Sequence, residues 1–191
     1  MAQLLAKIPK ERIGVLIGTN GSVKKHIEKT LGVKLEIDSE TGDVVITPRK
    51  NLNDPSLLFK AKDVVMAIGR GFSPERAFRL LESEDSVLEI IDLRGMIGKS
   101  ESELIRVRGR IIGKNGRTRG IIEEMSGASV SVYGHTVAII GDFDQVNIAR
   151  EAVNLLIRGC AHSTVYRFLQ RKRQELKKRR LELWEGSSIL P

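Results

Sequence analysis

Two short glycine-bounded segments could do chemistry in this chain: Gly18-Thr19-Asn20-Gly21 and Gly113-Lys114-Asn115-Gly116. Neither offers a nucleophile or an acid–base pair. Glycine has no Cβ to hold an anion away from the main chain, and a tight turn that opens a helix adds unpaired N–H groups and a positive dipole end. The chemistry expected of them is therefore noncovalent grip on phosphate. Their surroundings repeat as well, because Leu16 to Ile37 aligns with Ile111 to Val132 without a gap. Gly18 and Gly113, Gly21 and Gly116, Gly32 and Gly127, Ile27 and Ile122, and Glu28 and Glu123 all stand 95 residues apart. So long a spacing predicts two tandem domains, since solenoid repeats recur every ~20 to 50 residues.

Charge separates the two copies. Residues 105–122 hold Arg106, Arg108, Arg110, Lys114, Arg117 and Arg119 with no acid, whereas residues 10–27 hold Lys10, Arg12, Lys24 and Lys25 against Glu11. The variable clamp positions are Lys114-Asn115 in the second copy and uncharged Thr19-Asn20 in the first. The second loop is thus expected to be the stronger phosphate binder, and the first a weak binder or a docking surface.

The elements that must position these loops follow from periodicity. Leu4 to Ile8 reads as a strand broken by Pro9, and Ile13, Leu16 and Ile17 fall at helical spacing up to the first loop. Ser22 is placed to cap a second helix that Gly32 ends. Alternation over Val33 to Ile37 and the run Val44 to Ile46 predict two strands, and a helix from about Leu57 to Ile68 carries Leu58, Ala61, Val65 and Ile68 on one face. The second copy repeats this order with a strand over 87–93, helices up to Ile112 and over 117–125, strands over 128–132 and 137–140, and a helix over 143–157. Ser73-Pro74 starts a short helical connector, with Ser as N-cap and Pro at the first helical position. Residues 94–103 have no counterpart in the first copy and no role that the sequence assigns. The expected division is 1–79, 80–160 and 161–191, the last a basic C-terminal helix over about Ser163 to Trp184.

Composition limits the partners. The chain has 191 residues and a formal charge of +8, and residues 167–180 include Arg167, Arg171, Lys172, Arg173, Lys177, Lys178, Arg179 and Arg180 against Glu175 alone. Such a balance selects an anionic partner. Val165, Phe168, Leu169, Leu176, Leu183 and Trp184 keep an apolar stripe through this segment, so the helix is expected to pack on one of the two domains while offering cations; a membrane-surface helix is the lesser alternative. The single cysteine, Cys160, excludes an intramolecular disulfide and suits a reducing cytosol. No apolar run reaches the ~18 residues of a membrane span, and the N-terminus opens into strand pattern without a signal sequence, so a cytoplasmic protein is expected.

Several competing readings lack their residues. Gly109 to Asn115 has neither the four-residue spacing nor the Ser or Thr after Lys of a nucleotide phosphate-binding loop. His26, His135 and His162 lack metal-ligand spacing, and there is no Ser/His/Asp set or carboxylate pair, so no enzyme, metal or cofactor is expected. The Asn20-Gly21-Ser22 sequon has no meaning in a cytosolic chain. Nor do the aromatics follow the pattern of stacked strand aromatics, so bases are expected to rest on an aliphatic groove floor.

A Gly-x-x-Gly turn between two helices, within the order strand, helix, helix, strand, strand, helix, resembles the type I KH domain. The resemblance covers nearly Leu4 to Gly159 and is strengthened by its duplication. It implies an α+β fold of two tandem βααββα units, each gripping about four nucleotides of single-stranded nucleic acid. The residues this assigns to RNA are Gly113, Lys114, Asn115, Gly116, Arg117, Arg119, Arg106, Arg108 and Arg110 in the second copy. In the first they are Gly18, Thr19, Asn20, Gly21, Lys24 and Lys25, and in the tail Arg171, Lys172 and Arg173.

Arg110 to Arg119, followed by Ile121-Ile122-Glu123-Glu124, further resembles the pre-ribosomal Dim/partner-of-Nob proteins and their archaeal counterparts. Lys24 and Arg119, where many KH domains carry an apolar residue, are a departure shared with that family. This resemblance implies binding to the 3′ region of small-subunit rRNA. It also implies a Nob-type endonuclease, the rRNA dimethyladenosine transferase and the alpha subunit of translation initiation factor two as partners. A KH adaptor for mRNA or an RNA-degrading complex, or a ribosome-associated structural protein, stands as the alternative.

Overall fold

The computed structural model describes residues 3–49 and 54–187, without the side chains of residues 180 and 183–187. The first unit comprises β1 (Leu4–Lys7), α1 (Lys10–Ile17), α2 (Ser22–Leu31), β2 (Val33–Ile37), β3 (Asp43–Pro48) and α3 (Ser56–Gly69). Two short connector helices follow, α4 (Pro74–Ala77) and α5 (Arg79–Glu82). The second unit comprises β4 (Ser86–Asp92), α6 (Leu93–Ile97), α7 (Glu101–Ile112), α8 (Arg117–Ser126), β5 (Ser129–Tyr133), β6 (Thr136–Asp142) and α9 (Phe143–Ile157), and α10 (His162–Ser187) ends the described chain. Each unit has an antiparallel three-stranded sheet, in the orders β1-β3-β2 and β4-β6-β5. This is the α+β, twice-repeated βααββα order that the periodicity predicts.

The unassigned 94–103 stretch begins with α6, which Asp92 caps by accepting the Arg94 N–H at 2.9 Å while Leu93 is buried beneath. One capping expectation fails. The N-cap of α2 is Gly21, in the left-handed conformation, and Ser22 is already helical. The N–H of Ser22 is held by the carbonyl of Thr19, so the main chain of the tight loop replaces a side-chain cap. Ser73 does precede Pro74 in extended conformation at the start of α4, although its hydroxyl makes no cap bond to the helix.

The two sheets are buried differently. β3 alternates between buried Val44 and Ile46 and partly exposed neighbours, because only one face of its sheet meets α1, α2 and α3. β6 is buried at every position from Thr136 to Gly141. Val137 and Ile139 point into the core beneath α7, α8 and α9, together with Ile91 and Val130. Ala138 and Ile140 point the other way, into a cluster with Phe72, Ala77 and Leu80 of the first unit and connector, joined by Leu88 and Ile90. The register explains the rows, since Leu88 and Ser129 both pair with Ile140, and Ile90 and Ser131 with Ala138. The second sheet is therefore a wall shared by two cores.

The edge of that wall is polar and largely hydrogen-bonded, the buried Nε of Arg70 being without a partner among the described residues. Arg79 donates to Ser129 Oγ at 3.0 Å, to the Gly127 carbonyl at 2.7 Å and to Gln145 Oε1 at 3.2 Å. Ser131 Oγ donates to the Arg70 carbonyl at 3.0 Å, the Tyr133 hydroxyl to Glu11, and Arg12 lies 5.7 Å over the Tyr133 ring. Burial, followed by the bond to Glu11, raises the Tyr133 phenol above its ordinary pKa.

α10 lies on α8 and α9. Val165 and Leu169 are fully buried and Phe168 nearly so, with Leu176 packed against the same core. Leu183 and Trp184 of the expected stripe fall outside the described side chains. Because Ile140 fills the seam between the units, Ile140→Ala is expected to cost about 2–5 kcal/mol in urea denaturation. A loss below about 1 kcal/mol would mean that the seam is loosely packed.

Candidate nucleic-acid interface

Each clamp is a turn held by its own main chain. The Gly18 N–H donates to the Gly14 carbonyl at 2.9 Å and the Gly21 N–H to the Gly18 carbonyl at 3.1 Å; the matching distances at Gly113 and Gly116 are 2.8 and 3.2 Å. The backbones coincide. Asn20 and Asn115 have φ of 53° and 54°, and Gly21 and Gly116 have φ of 75° and 76°. Asparagine tolerates this left-handed region better than most residues, which accounts for its presence in both loops.

The two glycines of a clamp have different duties. A Cβ on Gly113 would stand 2.2 Å from Thr118 Oγ1 and 2.8 Å from the Thr118 backbone N, and one on Gly18 would meet Val23 at 2.5 Å. The first glycine therefore lets the loop close onto the following helix. A Cβ on Gly116 would find nothing nearer than Arg119 at 3.9 Å, so the second glycine serves the positive φ and leaves the outer surface open. The floor beside the loops is open too, since nothing lies within 4 Å of a Cβ built on Gly14 or Gly109.

The copies diverge in their side chains. In the first, Lys25 crosses the loop and donates to the Asn20 carbonyl at 3.3 Å, and Lys24 lies 4.0 Å from Glu28. The position matching Lys25 is Gly120, which also has open space around it. Lys114 and Arg117 are exposed and appear in no ion pair or side-chain hydrogen bond among the described residues, whereas Thr19 and Ser22 hold the matching places. Glu28 and Glu123 do the same work in both units, accepting the N–H of Leu35 at 2.8 Å and of Val130 at 2.6 Å, and so tie the clamp helix to its neighbouring strand.

Not every expected arginine is free for a ligand. Arg110 donates to the carbonyls of Leu156 at 3.3 Å and Cys160 at 2.5 Å, closing the end of α9. Arg106 pairs with Glu103. Arg108 and Arg119 are half-buried on the clamp helices, and the Nε of each is buried without a partner among the described residues. In the tail, Arg171 and Lys172 lie 3.7 and 2.9 Å from Glu175, whose carboxyl is held below its ordinary pKa by the hydrogen bond from Lys172. Arg173 reaches Met125 Sδ at 3.4 Å and Glu124 at 3.6 Å, docking α10 on α8. Arg76 of the connector, which sequence reasoning passed over, pairs with Glu123 across the unit boundary. Only an appreciation of which surfaces meet could have singled it out.

Duplicated open clamps on βααββα units define the class: a tandem KH-domain protein. Residues 4–51 match the family description "KH domain", and residues 87–174 match "Eukaryotic type KH-domain (KH-domain type I)". A KH domain-containing protein of Methanocaldococcus jannaschii is 52% identical over 184 residues, covering 96% of this chain and 80% of that one. The pre-rRNA-processing protein PNO1 of Coccidioides immitis is 28% identical over 172 residues, covering 90% of this chain and 68% of the other. A chain in the crystal structure of an a/eIF2alpha-aDim2p-rRNA complex from Pyrococcus horikoshii OT3 superposes with a TM-score of 0.86 at 58% identity, covering 91% of this chain and 95% of that one. The chain belongs to the archaeal Dim2/PNO1-type family of KH proteins.

The clamp geometry gives a test in which the two glycines part. Gly113→Ala drives a methyl into the backbone of α8 and is expected to cost more than about 2 kcal/mol, whereas Gly116→Ala carries only the left-handed penalty of about 1–2 kcal/mol. Thermal unfolding of both variants checks the order; equal losses would contradict the assigned duties.

Proposed function

We propose that this protein binds single-stranded RNA in small-subunit ribosome biogenesis, holding the 3′ region of 16S-type rRNA mainly through the second clamp. The observation that carries the reading is the contrast between two identical main-chain turns. One is flanked by exposed Lys114 and Arg117 with open space at Gly120; the other is crossed by Lys25 at that place and tipped by Thr19. A backbone clamp presents the same N–H groups in either copy, so the added cations decide which copy holds phosphate more tightly. The names of the relatives support the RNA and its pathway, since one is a pre-rRNA-processing protein and another was crystallised with rRNA and a/eIF2alpha.

The alpha subunit of initiation factor two is the protein partner that these names support. A Nob-type endonuclease and the rRNA dimethyladenosine transferase are carried by family resemblance. The protein acts as a binding factor with no catalytic role, in the cytoplasm, and no helix among the described residues is long and apolar enough to cross a membrane. Residues 1–79 and 80–160 serve as the two RNA-facing units, and 161–191 as a buttress whose outward cations, Arg171 and Lys172 among them, add phosphate contacts.

Two measurements test this reading. Lys114→Asp with Asn115→Asp should weaken binding of a 3′-terminal rRNA strand by about tenfold or more, as expected when charged contacts are reversed. Thr19→Asp with Asn20→Asp should cost less than about threefold, and equal losses in filter binding would remove the asymmetry. Annealing a complementary strand hides the base edges, so the duplex should retain only weak, salt-sensitive binding. Undiminished affinity for the duplex at moderate salt would contradict single-strand recognition.

A further inference from the structure

α10 does more than cover a core. Where it starts, it borders a shallow, open cleft of about 520 Å3 beside the second clamp. The cleft shares Gly109, Gly113, Lys114 and Arg117 with the clamp but has no β5 residue in its lining, so it lies on the α10 side of the clamp helices. One wall carries Lys114 and Arg117, and the other carries His162 and Tyr166, one helical turn apart on α10. Both rings are fixed by the clamp helices themselves. The Tyr166 hydroxyl is 3.1 Å from Thr118 Oγ1, and His162 Nε2 donates to the Arg110 carbonyl at 3.0 Å. Their centroids are 6.2 Å apart at 56°, so the rings are tilted and do not stack face to face.

We propose that this cleft is a nucleotide subsite adjoining the groove of the second unit, taking a phosphate between Lys114 and Arg117 and the attached base against Tyr166. The proposal rests on the RNA-binding reading and extends it by one residue of the strand. No carboxylate lines the cleft. Arg110 is held by the end of α9 and Arg106 sits in an exposed, exchangeable pair with Glu103, so Lys114 and Arg117 are the lining cations with no partner among the described residues. A phosphate alone would need no rings, whereas an aromatic held at a fixed angle beside a phosphate site provides the stacking surface that strand-binding proteins use. The first unit has no such place, because Val23 stands where Thr118 anchors the tyrosine and its last helix leads into the connector. The subsite therefore gives the second clamp an aromatic base contact that the first clamp lacks.

The full-length protein and a single-stranded RNA longer than the groove's span of about four nucleotides test this. With single abasic positions scanned along the strand, one position outside that span should lose about tenfold in affinity. Tyr166→Ala should lose a similar factor on the intact strand and nothing more on the strand already abasic there. Tyr166→Phe, which keeps the ring, should stay within about twofold of the parent. The proposal is overturned if no position outside the groove responds to base removal, which would make the cleft a phosphate site alone. It is equally overturned if Tyr166→Ala weakens a four-nucleotide strand as much as the longer one, since the tyrosine would then act only by positioning the clamp. Should Tyr166→Ala fail to fold, the abasic scan on the parent protein decides. Failure of the parent to bind any single strand would instead sink the RNA reading, so the two failures are told apart.

Discussion

Consecutive residues of β6 look into different cores: Val137 and Ile139 into the second unit, Ala138 and Ile140 into the first. A strand normally spends alternate positions on water, and this one has none to spend. The outer face of the second unit's sheet is covered by Phe72 of the first unit and by Ala77 and Leu80 of the connector, which belong at the same time to the first unit's core. Separating the units would expose both sides of this contact to water, at a cost proportional to the apolar area involved. The relative placement of the two clamps follows from this shared wall.

The polar rim sharpens that placement. Apolar packing tolerates sliding, but Arg79 has three acceptors and Ser131 one specific carbonyl, so these bonds favour a single register of the seam. The Arg76 to Glu123 pair extends the rim to α8, whose glutamate also holds β5 through the Val130 N–H. One carboxylate thus links the connector, a clamp helix and the strand bordering its groove. In the first unit Glu28 holds the matching strand but faces Arg49 at 3.7 Å. The duplication kept the tie and changed its partner.

α10 shows how a repeated module becomes unequal. Both clamps have the same backbone, because each places glycines and an asparagine at positive φ in the same order. Asymmetry entered through side chains and through an element present once. α10 buries Val165 and Leu169, docks Arg173 on α8 and places Tyr166 at the mouth of the second loop. Its basic run is less free than a count of charges implies, since Arg171, Lys172, Arg173 and Arg179 each have a carboxylate within 4 Å. Exposed pairs of this kind contribute little stability, so they remain able to exchange partners with a phosphate backbone.

Local rules made much of this protein legible in its sequence. The glycines at 18, 21, 113 and 116, the helix-ending Gly32 and Gly127, and the period-two run from Val33 to Ile37 each depend on a few neighbouring residues, and each stands where its pattern placed it. The gapless repeat fixed two modules, and the charge contrast between Lys114-Asn115 and Thr19-Asn20 is a property of composition alone. What required tertiary structure was the partner of each side chain. Arg110 reads as one cation among six until α9 presents it with the carbonyls of Leu156 and Cys160, and Ser22 reads as a cap until the loop's own main chain takes that duty. The burial of β6 on both faces, the pairing of Arg76 with Glu123 and the meeting of Tyr166 with Thr118 join residues dozens of positions apart. Conformation at a turn is decided by the residues in it, whereas pairing across a seam is decided by which surfaces the whole chain brings together, and no local pattern encodes that.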